Sequence, residues 1–297
     1  MTALPGARDL AELVRLPAVL TVPGDAWSGA AWSGVAAGSG GALMPLGSAL
    51  LYWSGMALND WADREVDAVE RPERVIPSGR IPASTALAVA GALGAAGLAA
   101  TAVVGGPRAL RVSVPLALLV ATYDVVVKDS PVGPLAMAST RGLDVLLGAV
   151  AGPGHGPGAA AAPAVSVAVH TVGVTLLSRG EVHGTRPAAV LAALASTASA
   201  AALLVGATLR DPAAGGNDRR AALVLAAAYA AVVAGAQARA LTDPGAARVR
   251  AATGAGMGGL TLLQSAWLAA RGRTVAAVAV AGAGPLLRRA ARAVSPT

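Results

Sequence analysis

Asn59, Asp60, Asp63 and Asp67 follow the pattern N-D-x-x-D-x-x-x-D. On a helix turning about 100° per residue they fall within an arc of roughly 100°. If the apolar segment before them stays helical past Asn59, an amide and three carboxylates point one way. Carboxylates gathered this closely repel one another, and a divalent cation relieves the repulsion. Mg2+ takes hard oxygen ligands, usually one or two carboxylates together with substrate phosphates and water. Pro72 stops the helix. Arg71, Arg74 and Arg80 follow it, and a guanidinium suits phosphate oxygens. Carboxylates for a metal beside guanidiniums for phosphate predict a diphosphate site at a membrane surface. The plainer reading of the same residues is a solvated loop of mixed charge.

These residues need elements to hold them, and the composition says which. The chain has 297 residues, 55% hydrophobic and only 13% charged, against about 25% charged in an average soluble domain. So few charges cannot cover a soluble surface. Apolar runs long enough to cross a roughly 30 Å hydrocarbon core recur along the whole length. The expected fold is all-α, a polytopic transmembrane helical bundle of nine or ten spans forming a single domain over 1–297. The spans are expected near 14–37, 42–59, 83–105, 109–127, 133–151, 160–178, 187–208, 220–241, 252–270 and 274–290. Abundant Ala and Gly allow helices to approach closely, although a compositional bias of the genome gives the same abundance.

With the N-terminus inside, fifteen of the 23 Lys and Arg fall on the inner side and seven on the outer, with Arg141 within a span. That bias predicts an integral protein of the cytoplasmic membrane with the acidic stretch on the cytoplasmic side. The net charge of +7 is then a membrane signature, and no nucleic-acid partner is expected. The absence of cysteine excludes disulfides and thiolate metal sites.

The run from Asn59 through R-P-x-R-x-I-P-S-G-R-I resembles the first aspartate-rich motif of the UbiA superfamily of intramembrane prenyltransferases. Arg15-Leu16-Pro17, Asp25 and the segment YDVVVKDSPVGPLAMASTRGLDVLLG (123–148) are most similar to its EboC-like branch. The resemblance implies Mg2+-dependent transfer of a prenyl group from a prenyl diphosphate to a small-molecule acceptor, aromatic or hydroxylic, within the membrane lipid. It gives Asp60, Asp63 and Asp67 the metal, with Asn59 assisting, and places Tyr123 and Lys128 in the active site with Lys128 on diphosphate. The family's second motif carries further aspartates. Here the matching stretch, LLSRGEVHGTRP (176–187), offers one acid, Glu181, with Arg179, His183 and Arg186 around it. Glu181 is expected as a metal ligand and His183 as a phosphate contact. This thin second motif also leaves room for a noncatalytic isoprenoid-binding protein.

Charges inside spans are costly and face the bundle interior. Arg141 and Asp144, three apart, are placed to pair with each other or to give Arg141 to acceptor or phosphate. Asp25 follows Pro23-Gly24, which breaks the first span, and is expected to line an acceptor pocket or hold a structural hydrogen bond. Gln264 reads as interhelical glue, and His155 and His170 as incidental. A transporter is the rival from another class, but its polar site belongs near the midplane, whereas this acidic motif lies at one edge.

Overall fold

A computed structural model describes residues 5–36, 38 and 40–294, without the side chains of 287–294. Among the described residues, the regular elements are all helical. The α-helices are α1 (Ala7–Leu13), α2 (Pro23–Trp32), α3 (Met44–Ala62), α4 (Arg64–Glu70), α5 (Ala83–Thr122), α6 (Gly133–Ala149), α7 (Ala161–Ser178), α8 (Pro187–Arg210), α9 (Gly216–Thr242), α10 (Ala246–Ala269) and α11 (Thr274–Val294). Among the described residues, five helical segments are long and apolar enough to cross a membrane: Gly40–Ala62, Ala83–Val127, Pro157–Ser178, Pro187–Arg210 and Gly216–Thr242.

The second of these is a hairpin. Thr101 Oγ1 donates to Ser113 Oγ at 2.9 Å, yet twelve residues of straight helix span about 18 Å. The chain reverses at Gly106, whose φ of 62° lies outside the helical region, with Pro107 beginning the return. The two arms occupy the expected spans 83–105 and 109–127.

The first expected span, 14–37, is not one helix. A 3-10 segment covers Leu16–Thr21, and α2 starts afresh at Pro23. Proline lacks the N–H a helix interior needs, so it starts helices more readily than it continues them. The positions expected for the remaining spans hold α6, α10 and the shorter apolar stretch of α11, Thr274–Leu286.

Small residues decide one crossing. A Cβ on Gly148 would lie 1.7 Å from the Ala26 carbonyl oxygen, and one on Gly29 would lie 1.7 Å from that of Val145. At this point α2 and α6 touch backbone to backbone, a contact only glycine permits. Trp267 and Tyr229, both fully buried, fill the centre between α7, α9 and α10.

The loops collect at two ends. At one end Lys128 pairs with Asp63, Arg179 donates to the Lys128 carbonyl at 2.9 Å, and Thr185 N donates to Pro244 O at 3.0 Å. At the other, His155 N donates to Ser33 O at 2.8 Å and Arg273 to Val35 O at 2.8 Å. This is the alternation that a membrane bundle requires.

Candidate active site

The acidic motif sits where α3 passes into α4. Asp63 closes α3 with ψ near zero, but the register survives the bend. Asp63 N bonds Asn59 O at 2.9 Å, Asp67 N bonds Asp63 O at 2.8 Å and Arg71 N bonds Asp67 O at 2.8 Å. These i to i+4 bonds keep Asn59, Asp60, Asp63 and Asp67 on one side. Helix α4 ends at Glu70, just before Pro72, which cannot continue it.

Each carboxylate meets a cation. Arg74 Nη1 lies 3.0 Å from both Asp60 and Asp67, so one guanidinium bridges the first and last acids of the motif. Arg71 stands 3.9 Å from Asp67. Lys128 pairs with Asp63. Asp60 and Asp67 are buried at 6% and 4% exposure, while the Asp63–Lys128 pair is more open. Buried carboxylates require such pairing, because an isolated charge out of water is very costly.

Arg15 completes this set, and sequence reasoning gave it no role at the site. It donates to Asp60 at 2.9 Å and to Asn59 at 3.3 Å. Its φ of 48° makes it the one non-glycine residue of left-handed conformation among those described. That turn joins α1 to the 3-10 segment and aims the guanidinium at the acids. The only sequence signal was its place before Leu16-Pro17.

The second arm of α5 supplies the opposite wall. It ends in a π turn, Tyr123–Val127, a local widening frequent at functional sites. Asp124 there is buried, accepts from Asn59 Nδ2 at 3.4 Å, and leaves Oδ2 with no hydrogen-bond partner among the described residues. Tyr123 is half-buried beside it. Arg179 donates to the carbonyls of Lys128 and Ser130 and fixes the loop that carries Lys128.

The remaining predicted residues lie further out. Arg80 turns to the N-terminal helix, meeting Asp9 at 2.7 Å and Glu12 at 2.8 Å. Glu181 is half-buried, with its carbonyl accepting from Arg250 at 2.6 Å. Burial raises the proton affinity of the Glu181 carboxyl against the pull of Thr253, Arg250 and Arg71. His183 is exposed. Among the described residues no three acidic or histidine side chains are gathered closely enough to hold a metal ion; Arg15, Arg74 and Lys128 contact the acids instead.

Deeper in the bundle lies a second polar group, and here one expectation needs correcting. Arg141 pairs with Asp25, at 2.8 Å, and not with Asp144. It also donates to the Thr21 carbonyl at 2.7 Å. Asp144 instead accepts from Ser48 on α3. Because α2 and α6 touch, Asp25 comes within reach of Arg141, which the spacing along α6 alone could not reveal. Gln264 is the expected glue, donating to Asp25 at 2.6 Å and to Thr21 O at 2.8 Å.

Comparison with known proteins agrees with this architecture. The Apo structure of a UbiA homolog from Aeropyrum pernix K1 superposes with a TM-score of 0.68 over 84% of this chain and 96% of that one, at 22% identity. A UbiA homolog from Archaeoglobus fulgidus, bound to DMAPP and Mg2+, gives 0.61 over 85% and 99%, at 13% identity. The digeranylgeranylglyceryl phosphate synthase of Methanothrix thermoacetophila is 36% identical over 103 residues, 34% of this chain. The matched stretch spans 38% of that relative's length. The profile of the UbiA prenyltransferase family matches residues 20–258. The chain belongs to the UbiA prenyltransferase family.

Proposed function

We propose that this protein transfers a prenyl group from a prenyl diphosphate to a small-molecule acceptor, in the cytoplasmic membrane, at a site on its cytoplasmic face. One observation carries the reading. Four carboxylates (Asp60, Asp63, Asp67, Asp124) stand against four cations (Arg15, Arg71, Arg74, Lys128) at the edge of an apolar bundle. A diphosphate entering so balanced a cluster brings excess negative charge, and it needs cations to accompany it.

The donor chemistry fits Mg2+. Asn59, Asp60, Asp63, Asp67 and Asp124 are hard oxygen donors, and Asp124 keeps a buried oxygen without a partner among the described residues. Asp60, Asp63 and Asp67, which are not gathered around one point here, would hold the ion once drawn together, with Asn59 and Asp124 beside them and Glu181 as the one acid of the 176–187 loop. When bound, Mg2+ would neutralise the charge that develops on the departing diphosphate.

The chain's own residues do the rest. Lys128, Arg71 and Arg74 exchange carboxylate oxygens for phosphate oxygens and stabilise the leaving group where charge develops. Arg15 holds Asn59 and Asp60 in place. The prenyl chain lies between helices away from water, which would otherwise quench an allylic cation. Tyr123 presents a half-buried ring at this wall, suited to stabilise positive charge through its face. Arg80 and His183 meet phosphate only if their loops draw in, since Arg80 is held by Asp9 and Glu12 and His183 is exposed.

A noncatalytic isoprenoid binder is the second reading, favoured by the single acid of the 176–187 loop. Reconstituted protein given labelled prenyl diphosphates of several lengths, Mg2+ and a lipid extract separates the two. Transfer predicts diphosphate release that needs Mg2+ and falls by about 10²–10³-fold in Asp63→Ala. Binding without release establishes the binder instead.

A further inference from the structure

Arg80 gives its whole guanidinium to protein partners. Nη1 donates to Asp9 Oδ1 at 2.7 Å and to Glu12 Oε2 at 2.8 Å. Nη2 donates to Glu12 Oε1 at 2.8 Å and to the Glu73 carbonyl at 2.8 Å, and Nε to Ser78 Oγ at 3.1 Å. Those are all the N–H donors that a guanidinium has, so none is left over for a phosphate oxygen. The two-pronged grip on Glu12 is a geometry that Arg provides and Lys does not. It fastens α1 to the loop 72–81.

Glu12 carries that grip toward the acids. Its side chain meets Arg80, and its carbonyl accepts from Arg15 N at 3.0 Å. Leu13, between them, is fully buried in one cluster with Ala57, Val75 and Ile81. Arg15 then takes φ 48° and ψ 53°, a left-handed backbone that crowds a residue bearing a Cβ. Such a conformation persists only where its surroundings hold it. On one side α1 holds it. On the other, Arg15 Nη2 is fastened to Asp60 at 2.9 Å and to Asn59 at 3.3 Å. Contacts therefore run unbroken from Arg80 through Glu12 and Arg15 to the start of the acidic motif.

We propose that Arg80 is a positioning residue: through Asp9 and Glu12 it docks α1, and α1 holds the strained turn that presents Arg15 to Asn59 and Asp60. The proposal rests on the reading of the edge cluster as a diphosphate site. Its rival is direct contact, in which Arg80 leaves α1 for a phosphate oxygen.

The two accounts differ in sign. The protein in detergent is titrated with a nonreactive prenyl thiodiphosphate in the presence of Mg2+. Positioning predicts that Glu12→Gln weakens binding by about threefold or more, as Arg80→Gln does, because each loosens a partly exposed pair that docks α1. Direct contact predicts that Glu12→Gln frees Arg80, so unchanged or tighter binding in that variant overturns the proposal. Positioning also predicts that Arg80→Gln adds less than about twofold to the loss in Arg15→Gln, since both act through one contact. Losses that multiply overturn it.

Hydrogen exchange over residues 7–18 reads the docking with no ligand present. Arg80→Gln and Glu12→Gln are expected to speed it by about threefold or more; a wild-type rate in Arg80→Gln overturns the proposal. Should Arg15→Gln not fold, the sign of the Glu12→Gln effect and the exchange rates still decide. If the wild-type protein binds no prenyl thiodiphosphate, the diphosphate reading fails, and exchange alone then decides whether Arg80 docks α1.

Discussion

The two polar groups of this bundle are built from the same residue types and behave differently. At the membrane edge, Asp60, Asp63 and Asp67 share Arg15, Arg74 and Lys128, and the Lys128–Asp63 pair is 19% and 27% exposed. In the interior, Asp25 is fully buried against Arg141, itself 12% exposed, with Gln264 and the Thr21 carbonyl completing the set. Partners that water can reach can be traded for a ligand's oxygens. Partners sealed among helices cannot be replaced, so losing one costs the whole burial of the other. The edge is therefore suited to exchange, and the interior to holding α2, α6 and α10 together.

The sharpest way to break this contrast is to remove one cation from each. Arg141→Gln leaves Asp25 buried and unpaired and should destabilise the protein by about 3–5 kcal/mol. A thermal midpoint close to wild type in detergent would show that a proton or water relieves Asp25 once Arg141 is gone. Lys128→Gln should barely move that midpoint, since partly exposed pairs contribute about 0–1 kcal/mol. If the proposed transfer is its reaction, the rate should fall about 10²–10³-fold, as expected for a group stabilising developing charge. A stable, fully active Lys128→Gln would remove Lys128 from the diphosphate site.

A smaller effect tests whether the interior group depends on backbone contact. Gly148→Ala drives a methyl into the Ala26 carbonyl and should cost about 1–3 kcal/mol. Gly91→Ala, where a Cβ meets nothing within 4 Å, should change stability by less than about 0.5 kcal/mol. Similar midpoints for the two variants would mean that the α2–α6 crossing relaxes freely.

The smallest effect comes from the opposite end, where Arg271 pairs with Asp211. Burial would raise the Asp211 carboxyl, but the Ala213 N–H and Arg271 outweigh it and hold its pKa below the ordinary 3.8. The associated stability is present above pH about 4 and is lost as pH falls through the lower folded value. Asp211→Asn should flatten the acid limb of a stability–pH profile by about 1 kcal/mol or less. An unchanged limb would assign acid sensitivity to other carboxylates.

Much of the edge site was legible because it is local. Asn59, Asp60, Asp63 and Asp67 sit within nine residues on one helical face, and helical periodicity is a property of adjacent chain. Pro72 and the arginines after it followed from the same stretch. Arg15 was not legible as a partner of Asp60, because 45 residues separate them and a left-handed backbone turn makes the contact. Arg80 lies beside Arg74 in sequence, yet it turns toward Asp9 and Glu12, which only the docking of α1 determines.

By itself, the sequence determined that this chain lives in a membrane, which end of α3 carries its acids, and that the chain breaks at Pro23 and Pro72. Those follow from hydrophobic length, helical period and the missing N–H of proline, all of which act over a few residues. Only the tertiary structure decided that Asp25, not Asp144, neutralises Arg141, and that Arg74 bridges Asp60 to Asp67. Ion pairing depends on distances of a few ångströms between separate helices. Those distances are set by which small residues let two backbones meet, as Gly29 and Gly148 do where α2 crosses α6.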